Sequence, residues 1–128
     1  MALTYVIEPR KGLALITRTH HPTFDEWRHF MEGVLGDPEF SPGIGIVDDQ
    51  RRDPSVPSRN EVEVHAAWIR ANSPRMGRIR WAVVVEPTAL AAFGMARVGE
   101  FLTHQCGVTI RAFTDLDAGL TWAASAGR

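Results

Sequence analysis

Arg80-Trp81-Ala82-Val83-Val84-Val85 is a short, continuous apolar run rich in valine, with turn signals on either side. Such a run reads as a strand buried on both faces. Glu86-Pro87-Thr88 follows at once. Thr88 is a good N-cap for the helical run that opens Ala89-Leu90-Ala91-Ala92-Phe93-Gly94-Met95 and continues to Gly107. A strand that feeds a helix this directly belongs to an α/β sheet.

On that helix, at about 100° per residue, Leu90, Ala91, Gly94, Met95, Val98, Phe101 and Leu102 spread over one broad side. This side is expected to be buried, with Gly94 allowing close approach to the sheet. Phe93, Arg97, Glu100 and His104 form the opposite stripe. A phenylalanine among charges is either a tolerated exposed residue or an anchor for a partner. As an interface the stripe suits self-association, with Arg97 of one copy facing Glu100 of the other.

Outward from this centre, the alternation in Leu3 to Glu8 and in part of Leu13 to Thr19 predicts two strands. Pro9-Arg10-Lys11-Gly12 joins them as a tight turn, giving an antiparallel hairpin. Thr23-Phe24-Asp25-Glu26 is a capping box, and it opens a helix with Phe24, Trp27, Met31, Val34 and Leu35 at helical spacing. That helix is expected to stop near Gly36-Asp37-Pro38. Ile44 to Asp48 reads as a short buried strand, and the polar segment Asp48 to Pro57 as the longest loop.

Ser58-Arg59-Asn60-Glu61 is a second capping box. The residues behind it are ambiguous, because Glu61-Val62-Glu63-Val64 alternates like a strand. The cap and Ala66-Ala67-Trp68-Ile69-Arg70-Ala71 favour a helix, with Val62, Ala66 and Ile69 on one face and Val64 and Trp68 elsewhere. Asn72 to Gly77 reads as a loop. Val108 to Phe113 is the last strand, and Asp115 caps a final helix with Leu116, Leu120 and Ala123 on one side. The expectation is therefore one α/β domain over residues 1–128. Its mixed sheet has about five strands, a hairpin and then parallel strands joined by right-handed crossovers, with about four helices on its faces.

A chain of 128 residues with 45% apolar and 23% charged residues is an ordinary soluble globular domain with a real core. A net charge of -1 offers no electrostatic footprint for nucleic acid or an anionic membrane. One cysteine allows no internal disulfide, and no signal peptide or membrane span is visible. The expected location is the cytoplasm, in a bacterial setting.

Asp48-Asp49-Gln50-Arg51-Arg52-Asp53 lies beyond a strand's carboxyl end, where open α/β sheets bind ligands. Asp48 and Asp49 could hold Mg²⁺, and Arg51 and Arg52 could grip a phosphate. The plainer alternative is a solvated loop whose charges pair among themselves. His20-His21 make no chelate on an extended chain, and His29, His65 and His104 are scattered. Cys106 precedes Gly107 at a helix C-terminus, where the dipole opposes a thiolate. No assembled catalytic set, metal site or cofactor motif is present in the sequence.

Four segments together resemble the SpoIIAA-like family of the STAS superfamily, which includes anti-sigma-factor antagonists. They are Thr4-Tyr5-Val6-Ile7 with Gly12-Leu13, and Asp37 to Gly43 running to Val47-Asp48. The others are Ala82 to Val85 with Phe93-Gly94-Met95-Ala96-Arg97, and Phe113 to Ala118 with Trp122. The resemblance implies a small α/β regulatory or ligand-sensing module, generally without catalysis. It departs from known antagonists where their phosphorylated Asp-Ser-Ser/Thr-Gly motif is replaced by Asp53-Pro54-Ser55-Val56-Pro57-Ser58-Arg59. The expected function is a non-enzymatic regulatory or protein-interaction domain, as a homodimer or with a protein partner. The alternative is a small-ligand sensor for a nucleotide or an apolar metabolite.

Overall fold

Strand pairing follows chain order. In the computed structural model, which describes residues 2–124, β1 (Leu3–Glu8), β2 (Leu13–Arg18), β3 (Gly45–Asp49), β4 (Ile79–Val84) and β5 (Val108–Phe113) lie side by side in that sequence. β1 and β2 form the expected antiparallel hairpin, with Leu3 opposite Arg18 and Glu8 opposite Leu13. Gly12 closes it at a φ of +67°, a left-handed backbone that glycine adopts without strain. The remaining pairs are parallel.

Parallel neighbours require crossovers, and these are α1 (Phe24–Leu35), α2 (Arg59–Met76) and α3 (Leu90–Leu102). Right-handed crossovers that step the same way along the sheet place their helices on one face. There Trp27 and Met31 of α1, Trp68 and Ile69 of α2, and Ala92 and Phe93 of α3 meet Ile16, Ile46, Trp81 and Val83 of the sheet. The other face is covered by α4 (Leu116–Ala124), whose Leu116, Leu120 and Ala123 pack on Leu13, Val47, Ala82 and Val84. α4 comes so close that a Cβ added to Gly45 would lie 2.3 Å from the Ala123 carbonyl oxygen. No helix among the described residues is long and apolar enough to cross a membrane.

Both capping boxes form. Thr23 and Glu26 bond reciprocally at α1, and Ser58 and Glu61 at α2. α2 is longer than expected, because it continues through the segment read as a loop to Met76, past Pro74. Proline has no amide to give the carbonyl four residues earlier. Here the Ser73 hydroxyl donates to that carbonyl, of Arg70, at 3.0 Å. Met76 is fully buried, which anchors the extra turn. The sequence reading sets Trp68 off the face of Val62, Ala66 and Ile69, with no partner of its own. It is buried instead, with its ring 5.1 Å from that of Trp27, because α2 packs on α1 as well as on the sheet and α3.

The largest correction concerns α3. Thr88 does not cap it: Ala89 takes the N-cap position without a side-chain bond, and the helix ends at Leu102 rather than near Gly107. Its phase is also rotated from the sequence reading. Leu90 and Phe101 are 79% and 77% exposed, with Ala91, Gly94 and Arg97 beside them. Phe93 packs against the core, and Glu100 Oε1 accepts a bond from the Ala112 amide of β5 at 2.8 Å. His104 lies beyond the helix and is exposed. The stripe Phe93, Arg97, Glu100 and His104 is therefore not one exposed face.

Candidate functional site

Asp48 and Asp49 are consecutive on β3, so their side chains leave opposite faces of the sheet. Asp49 turns towards the α4 side and is clasped by Arg51. The guanidinium donates from Nε to Oδ1 and from Nη2 to Oδ2, each at 2.9 Å, and the Arg51 amide donates to Oδ1 at 3.1 Å. Burial pushes the Asp49 carboxyl up, but the Arg51 bonds and charge, with help from Arg52, hold it below its usual value. This arrangement divides the expected ligand set. The two carboxylates diverge, Arg51 is occupied by Asp49, and Arg52 is exposed. The plainer reading, a loop whose charges pair internally, describes Asp49 and Arg51.

Asp48 turns the other way, into the layer between sheet and helices. β2 pairs with β3 so that Ile16 lies opposite Asp48, and Arg18, two residues on, projects from the same face. Arg18 is 6% exposed and Asp48 4%. The Arg18 guanidinium sits 3.8 Å from Asp48 Oδ2 and 3.9 Å from Asp53 Oδ2. These are ion pairs too long to be good hydrogen bonds. Gln50 Nε2 donates to Asp48 Oδ2 at 3.1 Å, and the Ser55 amide donates to Asp53 Oδ1 at 2.9 Å. Arg18 Nε and Asp48 Oδ1 are buried without a protein partner.

Both residues line a cavity of about 100 Å³ beneath α2 and α3. Trp27, Ile69, Trp81, Val83 and Met95 form much of its apolar wall, and His65 faces it from α2. A wider hollow of about 550 Å³ lies on the opposite face near Val6, Leu15 and Leu120, with Arg10 and Lys11 at its edge. None of the buried unpartnered side-chain atoms among the described residues belongs to it. The cavity beneath α2 and α3 is the better candidate.

Sequence reasoning singled out Asp48, which lines this cavity, but not Arg18 or His65, which line it too. A signal existed for each. Arg18 shares the strand parity of Ala14 and Ile16, so a charge sits on the apolar face of β2. His65 falls between Val62, Ala66 and Ile69 on the buried side of α2.

No family model matches this sequence, and no curated protein matches it. Among solved structures it is similar to an uncharacterised protein of the DUF3478 family from Shewanella loihica PV-4, which has a SpoIIAA-like fold. The identity is 16%, the TM-score is 0.59, and the likeness covers 95% of this chain and 94% of that one. The fold is SpoIIAA-like.

Within this fold Ser58 stands at the start of α2, where its hydroxyl accepts from the Glu61 amide at 3.1 Å. Glu61 in turn receives the Ser58 amide at 3.1 Å and pairs with His21. One turn on, the His65 ring lies 4.3 Å from that of Trp27 and its Nδ1 donates to the Glu61 carbonyl. Burial holds the His65 imidazole below its usual value, and the Glu61 carbonyl offsets this only in part. Arg18 pushes the same way as burial, while the Asp48 and Glu61 charges oppose it.

The sign follows. The unfolded chain protonates His65 near pH 6.5 while the folded chain still resists the proton. Stability from this residue should be complete above about pH 6.5 and decline as the pH falls below it. Urea unfolding at pH 7 and pH 5 should show that decline, and His65→Phe should flatten it. The carboxylates held low, such as Glu61 by the Ser58 amide, lose their contribution only at more acid pH, around the carboxylate range near 4. Parallel declines in wild type and variant would exclude His65 as the cause.

Proposed function

We propose that this chain is a non-enzymatic regulatory or protein-interaction domain that acts as a homodimer through the outer face of α3. The observation that carries this reading is the exposure of Leu90 and Phe101 on a helix that has no fully buried residue. Large apolar side chains left in water on one helix face mark contact surfaces. Between them, Ala91 and Gly94 form a low stretch, and a Cβ added at Gly94 would meet nothing within 4 Å. Two such helices packed antiparallel about a two-fold axis can each set Phe101 against the other's low stretch. Arg97, midway along the face, is paired in its own chain with Glu100 at 2.6 Å, so little unbalanced charge opposes the contact.

Sedimentation equilibrium tests this. Wild type should dimerise in the micromolar range and Phe101→Asp should be monomeric, with an unchanged circular dichroism spectrum. A wild type that stays monomeric at high micromolar concentration ends the proposal. The second reading is a small-ligand sensor, and the buried Arg18 and Asp48 in the cavity wall favour it. At about 100 Å³ the cavity is well below the several hundred that a nucleotide needs, so a smaller metabolite fits this reading better.

A further inference from the structure

We infer that the cavity beneath α2 and α3 binds a small uncharged amide, whose carbonyl oxygen accepts from Arg18 Nε while its N–H donates to Asp48 Oδ1. The inference rests on the sensor reading and is independent of dimerisation. The two atoms come from adjacent strands on one face of the sheet, and neither has a protein partner. One is a donor and the other an acceptor, so the complement is a group that carries an acceptor beside a donor. Buried polar atoms of this kind are ordinarily paired, so a bound group that pairs both is favoured over bare burial.

Charge narrows the class. Arg18 is already shared between two carboxylates, Asp48 and Asp53, and burial keeps His65 neutral. An anionic ligand would add a charge beside Asp48, and an ammonium would be set against Arg18. A neutral primary amide or lactam avoids both. An ordered water can bridge the two atoms in the free protein, and the amide would displace it. Much of the remaining wall is Trp27, Ile69, Trp81, Val83 and Met95, which suits hydrocarbon. The volume sets the size. A cavity of about 150 Å³ accepts benzene, so about 100 Å³ takes a smaller molecule, of only a few heavy atoms.

The probe is acetamide, titrated while the indole N–H resonances are followed by NMR. Trp27 and Trp81 line the cavity, whereas Trp122 packs on the opposite face and serves as an internal control. Trp27 and Trp81 should shift saturably and Trp122 should not. Acetone, which has the same carbonyl but a methyl in place of the amide nitrogen, should bind at least about tenfold more weakly, the loss expected for one charge-assisted hydrogen bond. Arg18→Lys, which keeps the charge and removes the Nε–H, should weaken acetamide by a similar factor. Equal binding of the two probes by wild type overturns the amide assignment and leaves an apolar sensor standing. If neither probe moves Trp27 or Trp81 at its highest soluble concentration, both the assignment and the sensor reading fail.

Discussion

Arg18→Met should destabilise the fold by about 3–5 kcal/mol, the range seen when one partner of a buried ion pair is removed. The methionine fills similar space along the stem, so the loss reports the missing charge more than a missing volume. Asp48 and Asp53, both buried, would then lack their shared cation. Adding Asp48→Asn to the variant should recover part of the loss, since it removes one of the stranded charges. Urea or guanidinium melts of the three proteins measure this. A loss below about 1 kcal/mol for Arg18→Met, the range of an exposed pair, would mean that solvent already screens the cluster.

Trp81→Ala is the second large effect, expected at about 3–5 kcal/mol. Trp81 is the largest fully buried side chain and lies on β4, flanked by β3 and β5. It also forms part of the cavity wall, so its removal enlarges an existing space instead of leaving an isolated void. Collapse around the deletion is correspondingly harder, which favours the upper end of the range. Added indole should raise the melting temperature of Trp81→Ala by more than it raises that of wild type, because a ligand for the folded state alone stabilises it. Equal responses would place Trp81 away from the cavity.

Most of the architecture was readable because its signals are local. Valine-rich β4, the alternation in β1 and the two capping boxes each depend on neighbours within a few residues. The errors arose where distant contacts decide. In α3 the run Ala91, Ala92, Gly94, Ala96 and Gly99 gives a weak periodic signal, since small residues gain little from burial. Its rotation agrees with the bond from Glu100 to the β5 backbone and the packing of Phe93, neither of which is visible in spacing. The loop reading of Asn72 to Gly77 failed for a similar reason, because the Ser73 hydroxyl and the burial of Met76 sustain the helix past Pro74. The site was half legible. Asp48 announces itself at a strand end, but its partner Arg18 is thirty residues away in sequence, and only the β2–β3 register brings them together.

The order of the strands has a consequence for how the protein is made. Each strand pairs with the one synthesised just before it, so the sheet can grow strand by strand as the chain leaves the ribosome. The layer of α1, α2 and α3 can close over its face in step with that growth. The opposite face cannot. Leu13, Val47, Ala82 and Val84 come from three strands, yet their cover is α4, the last of the described elements. A chain that ends before α4 therefore leaves one apolar side of the sheet open, the kind of surface that chaperones hold. Held outside the ribosome by an added linker long enough to clear the exit tunnel, residues 1–115 should retain such a chaperone and residues 1–128 should not.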